Sequence, residues 1–137
     1  MAVIKELIRS EVDGTISFGD YTLDKKAKLQ DFEHQGDLYK VKTYHEITKL
    51  ERNGMFVYES VPGTAVNHMN VTESGVQFYV EGAEDAQITV ELAEDTEYKI
   101  FIDDTNVGKM KTNLSGKLAL SVELSKDDQS HVKIIKL

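Results

Sequence analysis

The sequence predicts a mainly β chain in which N-terminal strands and one short α-helix precede an antiparallel β-sandwich. Three observations carry this reading. From Val71 onward, apolar and polar residues alternate in short runs, the period of a strand with one buried face. Gly, Asp and Asn fall between those runs at short spacing, where turns require them. One earlier stretch, "TYHEITKLERNG", breaks the alternation and repeats its apolar residues every third position.

The first element reads as a hairpin around Asp13-Gly14. A loop over 12–14, with Gly14 left-handed and forming a bulge, aligns Ile8 and Ser10 with Phe18 and Ile16 on one face. Ile4, Leu7 and Ile8 also have helical spacing, so a short helix over 3–9 is the rival. Farther on, "DKKAKLQDFEHQGDLYKVKT" places a Gln35-Gly36-Asp37 turn between two strands, one with Leu29 and Phe32, the other with Leu38, Tyr39 and Val41.

The helix is expected over about 44–53. Thr43 precedes Glu46 at capping-box spacing, and Tyr44, Ile47 and Leu50 recur at every third position. Lys49 and Arg52 sit toward the C-terminal end, and Gly54 supplies a stop. The competing reading is a hairpin turning at Asn53-Gly54 with Leu50 opposite Val57. Next comes a strand with Met55, Val57 and Val61 on one face, and Pro62-Gly63 turns out of it. Phe56 and Tyr58, on the other face, either cover the helix or lie exposed.

The remaining strands follow from alternation: Val76, Phe78, Val80; Ile88, Val90, Leu92; Tyr98, Ile100, Ile102; Leu118, Leu120, Val122, Leu124; and Val132, Ile134 or Ile135, Leu137. None contains proline, which suits strands paired on both sides. This divides the chain into a β-rich part with the helix, 1–66, and a β-sandwich, 67–137, packed as one unit.

Composition excludes several functions. A net charge of -8 opposes binding to a phosphate backbone, so nucleic acid is not an expected partner, although Lys25, Lys26 and Lys28 form a local basic stretch. The absence of cysteine removes disulfides, thiolate nucleophiles and thiolate metal sites. The opening "MAVIKELIRSEVDG" is broken by Lys5, Glu6 and Arg9, and no later run reaches membrane-spanning length, so a cytoplasmic protein without a membrane partner is expected.

Two resemblances add to this. The segment "EYKIFIDDTNVGKMKTNLSGKLALSVEL" resembles the closing strands of immunoglobulin-like and fibronectin-type sandwiches, including accessory β-domains of carbohydrate-degrading enzymes. This implies an immunoglobulin-like form for the sandwich and a possible glycan partner. The whole sequence, with "GDLYKVKT", "EITKLERNG" and "YESVPGTAV", resembles a group of small uncharacterised bacterial proteins sometimes named endosialidase. That name implies cleavage of sialic-acid polymers. Familiar sialic-acid hydrolases grip the substrate carboxylate with several guanidinium forks. Arg9 and Arg52, the only arginines, cannot supply a three-arginine clamp within one subunit.

No residues stand out as catalytic. His34, His45, His68 and His131 lack metal-ligand spacing, although His45, beside Glu46, and His68 have the chemistry to meet as a metal or acid-base pair. Neither a nucleophile elbow nor a phosphate-binding glycine loop is present. Acidic turns, above all Glu84-Asp85 and Asp103-Asp104, and also Glu94-Asp95 and Asp127-Asp128, raise a weak calcium site if sandwich loops converge. No other cofactor is expected. Tyr44, Phe56, Tyr58 and Tyr79 are the candidate interaction surface. The expectation ranked first is a non-enzymatic structural or interaction protein that self-associates as a homo-oligomer through sheet edges or exposed aromatics. A carbohydrate-binding accessory module comes second and a glycoside hydrolase a distant third.

Overall fold

A computed structural model describes residues 3–126 and 128–137, and in it the alternating pattern becomes two antiparallel sheets facing each other across one core. In chain order the strands are β1 (Ile8–Ser10), β2 (Ile16–Phe18), β3 (Ala27–His34), β4 (Asp37–Tyr44), β5 (Ile47–Arg52), β6 (Met55–Val61) and β7 (Thr64–Thr72). They continue as β8 (Gly75–Gly82), β9 (Ala86–Glu91), β10 (Glu97–Ile102), β11 (Thr105–Lys111), β12 (Lys117–Val122) and β13 (Ser130–Lys136). The first sheet runs β1-β2-β7-β8-β13-β10-β11 and the second β12-β9-β6-β5-β4-β3. Each sheet takes strands from both 1–66 and 67–137, so the two parts share their sheets and their core.

The first hairpin has the bulged register: Ile8 lies opposite Phe18 and Ser10 opposite Ile16, with Gly14 at φ +88°. Residues 4–7 form a turn rather than the rival helix, with the Leu7 N–H donating to the Ile4 carbonyl. The Gln35-Gly36 turn between β3 and β4 is also as expected, with both residues at positive φ.

The helix over 44–53 is not formed, and among the described residues there is no α-helix. The stretch is instead the end of β4, a tight turn at His45-Glu46, and all of β5. Its three-residue spacing arises because Tyr44 and Ile47 face each other across that turn. Beyond it the buried positions are Thr48 and Leu50, a period of two, continuing the buried Tyr39, Val41 and Thr43 of β4. Thr43 is therefore no cap: its hydroxyl bonds that of Thr48 at 2.8 Å and accepts the Asp20 N–H. Asn53 and Gly54 both adopt positive φ, the type I′ geometry that matches strand twist. The hairpin alternative had the right turn, but Leu50 lies opposite Tyr58, not Val57, because a bulge intervenes.

That bulge also corrects the facing of β6. Tyr58 and Ser60 are buried, whereas Met55 and Val61 are exposed. Two strands escaped the alternation rule. The N-terminal half of β7 is buried at every residue from Thr64 to Asn67, so no polar position marks its outer face. The edge strand β11 is exposed throughout and has no inner face to read.

The sheets are joined at the core by packing and by hydroxyls. Phe18 and Phe78 from the first sheet meet Tyr58 from the second edge to face, at ring separations of 5.3 and 5.6 Å. The Tyr58 hydroxyl shares a 2.8 Å hydrogen bond with Thr64, which also bonds Ser60 at 2.7 Å. Thr48 donates to the Thr64 carbonyl and accepts the Thr64 N–H. Such satisfied buried networks fix how one sheet sits on the other. No helix of the described residues is long and apolar enough to cross a membrane.

A cleft at the open end of the sandwich

At the end of the sandwich bearing the Asn53-Gly54 and Glu73-Ser74 turns, the two sheets do not close on each other. Between them lies a cleft of about 410 Å³. The second sheet contributes Met55 and Val57 from β6 and Val90 from β9, followed by Leu92; the first contributes Met69 and Val71 from β7, Val76 from β8 and Tyr98 from β10. Arg52, Asn53, Thr72, Glu73 and Glu91 bring polar groups to it. A smaller cavity of about 90 Å³ adjoins it, shares Arg52, Val57, Met69 and Val71, and extends toward His34 and Gln35.

Local sequence explains the opening. Strand β5 pairs Glu51 with Phe56 and Leu50 with Tyr58, leaving Val57 as the extra residue of a bulge that turns it toward the cleft. Arg52 lies opposite Tyr39 and Met55, so it belongs to the row that faces the other sheet. It has no ion-pair partner among the described residues. The mouth keeps apolar surface in water: Met55 is 65% exposed and Val71 43%.

The candidate aromatic surface does not converge. Tyr58 is fully buried, its hydroxyl held by Thr64, and burial pushes that hydroxyl's pKa up. Phe56 lies at the cleft, half-buried, with the ammonium groups of Lys117 and Lys49 at 4.9 and 6.0 Å from its ring centre. Tyr44 is at the opposite end of the second sheet, beside Lys26 and bonded to Glu46, which raises its pKa. Tyr79 is on the first sheet, stacked on His131 at 4.4 Å.

The acidic turns and histidines are also separated. Asp103-Asp104 forms the β10–β11 turn, and the Asp103 carboxylate accepts the His131 N–H. Asp85, next to Glu84, accepts the Leu124 N–H beside the paired ends of β9 and β12, within the second sheet. Among the described residues, no group of three or more His, Asp or Glu side chains is placed to hold a metal ion. Asp127 lies outside the described residues. His45 contacts the Leu23 carbonyl, while His68 is within hydrogen-bond distance of Asp13 and Thr15, so these two histidines do not form a pair. The Thr15 hydroxyl donates to Asp13 and lowers its pKa, which makes this exposed trio a turn clasp.

Sequence reasoning missed Arg52, Val71 and Met69 as site residues because the cleft is assembled from strand ends remote in sequence. The one local signal was Asn53-Gly54, which marks a hairpin tip. A scan of protein-family models matches none, and searches of curated proteins and of solved structures find no match.

Proposed function

We propose that the chain is a non-enzymatic binding protein whose ligand element is this cleft, and that it takes a small apolar or aromatic molecule carrying an anionic group. The observation that carries the reading is the pairing of a largely apolar cavity of about 410 Å³ with Arg52, a lining residue that has no ion-pair partner among the described residues. Cavities that hold small molecules are of this size, mostly apolar, with a few polar groups that orient the ligand. Glu73 and Glu91 contribute opposite charge, but Glu91 is neutralised by Lys117 at 3.1 Å. Glu73 remains as the one lining carboxylate without an ion pair among the described residues, and it makes none with Arg52, whose charge is open to an incoming anion. Among the described residues the lining offers no nucleophile held by a base, which supports binding over catalysis.

An aryl sulfonate dye, 1-anilinonaphthalene-8-sulfonate, tests this. The native protein should enhance its fluorescence saturably under folding conditions, and Val71→Trp, which fills the mouth, should abolish the effect while the fold persists by circular dichroism. Equal dye binding by both proteins counts against the cleft.

A second reading is self-association, supported by the apolar mouth, since Met55 and Val71 are surfaces that a second copy would cover. Three of the four sheet edges support it less, β12 being the regular one. Strand β1 has three residues, β3 is bulged with Asp31 at positive φ, and β11 carries a register shift and Lys109 and Lys111, devices that oppose strand addition. Light scattering over a concentration series distinguishes the readings: a dimer that dissociates in Met55→Glu favours association.

A further inference from the structure

The outer face of the second sheet carries a cluster of charge at odds with the acidic chain. Lys28 of β3 lies directly opposite Lys42 of β4, and Lys42 directly opposite Lys49 of β5. Three lysines thus stand in one row across three strands. Lys40, two residues along β4, joins them, and among the described residues a depression of about 130 Å³ is lined by Lys28, Lys40, Lys42, Lys49 and Glu51.

Such a row is costly without a counter-charge, because like charges at directly opposed positions destabilise a sheet. Glu51 lies directly opposite Lys40 and Glu59 directly opposite Lys49, yet Lys49 with Glu51, at 3.7 Å, is the one ion pair these lysines make among the described residues, and Lys28 and Lys42 face only lysine across the strands. Edge protection explains lysine on β3, which is the last strand of its sheet. It does not explain Lys42 and Lys49, which are half-buried on interior strands. In a chain with 24 acidic residues, four lysines around one depression with one glutamate are a local reversal of charge.

We propose that this depression binds a ligand carrying two or more linked phosphate groups. Ammonium groups act as compact point charges that suit phosphate oxygens, and four converging on one depression match a group bearing several charges. A flat carboxylate selects the bidentate fork of arginine, which this face lacks. The site lies on the outside of the sheet and shares no lining residue with the cleft between the sheets.

The test is titration calorimetry with inorganic tripolyphosphate at low salt, on the native chain, Lys42→Gln, Lys28→Gln and Lys133→Gln. Lys133 lies on the other sheet and serves as the control. The native chain should bind saturably, with affinity falling as salt rises. Lys42→Gln should bind on the order of tenfold more weakly, the loss of one charge-assisted contact. Lys133→Gln should bind as the native chain does. Without ligand, Lys42→Gln should melt a few degrees higher, because it removes two like-charge oppositions. Lys28→Gln repeats the binding test from the edge strand if the central substitution fails to fold. ATP tested beside tripolyphosphate distinguishes a nucleotide from a free polyphosphate as the source of the linked phosphates. Undiminished binding in Lys42→Gln and Lys28→Gln, equal loss in Lys133→Gln, or tighter binding of a poly-glutamate peptide would each overturn the assignment.

Discussion

Leu50 lies opposite Tyr58 across β5 and β6, and the register this sets leaves Val57 without a partner of its own. The relationship links core to cleft. Tyr58 is carried inward to Phe18, Phe78 and Thr64, while Val57 turns toward the cleft and Phe56 pairs with Glu51. One extra residue in a hairpin therefore places both one of the largest core side chains and part of the ligand wall.

If Arg52 orients an anionic head group, its charge should matter only for charged ligands. Arg52→Gln should weaken the aryl sulfonate by on the order of tenfold, the worth of one charge-assisted hydrogen bond. A neutral naphthalene probe should bind the variant and the native chain alike. Parallel losses for both probes would assign Arg52 to packing of the mouth.

The hydroxyl of Tyr58 joins a network that retains other members when it is removed, since Thr64 still bonds Ser60. Tyr58→Phe should therefore cost only about 1 kcal/mol in urea unfolding, the net value of one hydrogen bond. Tyr58→Ala should cost roughly 3–5 kcal/mol by opening a cavity among the aromatic rings. Because burial raises its pKa, Tyr58 stays neutral in the folded protein while an unfolded chain releases its proton near pH 10. Stability should fall as pH rises above that value, and less steeply in Tyr58→Phe.

Gly63 has no room for a side chain. Its N–H donates to the His45 carbonyl, and an added Cβ would collide with the carbonyl oxygen of Tyr44. Gly63→Ala should destabilise the fold by about 2 kcal/mol, with an unchanged urea slope, as the β4–β5 turn is pushed away from the chain leaving β6.

Acid should act on the first hairpin. The Ser17 hydroxyl donates to Glu11 at 2.5 Å, and with the Arg9 guanidinium it holds the carboxyl below its ordinary value of 4.5. The stabilisation this provides is complete above that value and is lost as pH falls through the lowered one. Carbon-detected titration of Glu11 should move upward toward 4.5 in Ser17→Ala, and Glu11→Gln should flatten the acid limb of the stability curve.

Much of the fold was legible because period-two burial is written directly into the chain, as in Val76, Phe78 and Val80 or Leu118, Leu120 and Val122. The failure at 43–54 has a specific cause: a tight turn placed Tyr44 and Ile47 three residues apart, and the inward positions of β5 include Thr48, so apolar spacing alone imitated a helix. A bulge, invisible to spacing, shifted the inward row of β6 by one residue from Tyr58 onward and sent Tyr58 to the core. The cleft was hidden for a different reason. It depends on which strand ends meet, and Arg52, Val57, Met69 and Tyr98 come together only through the order of the two sheets.

The most direct measurement is methyl NMR of methionine-labelled protein during addition of 1-anilinonaphthalene-8-sulfonate. Met55 and Met69 line the cleft, whereas Met110 sits on the exposed edge strand β11. Binding in the cleft should shift the Met55 and Met69 methyl signals saturably and leave Met110 in place. Shifts confined to Met110, or none at Met55 and Met69 while the dye binds, would contradict a ligand site between the sheets.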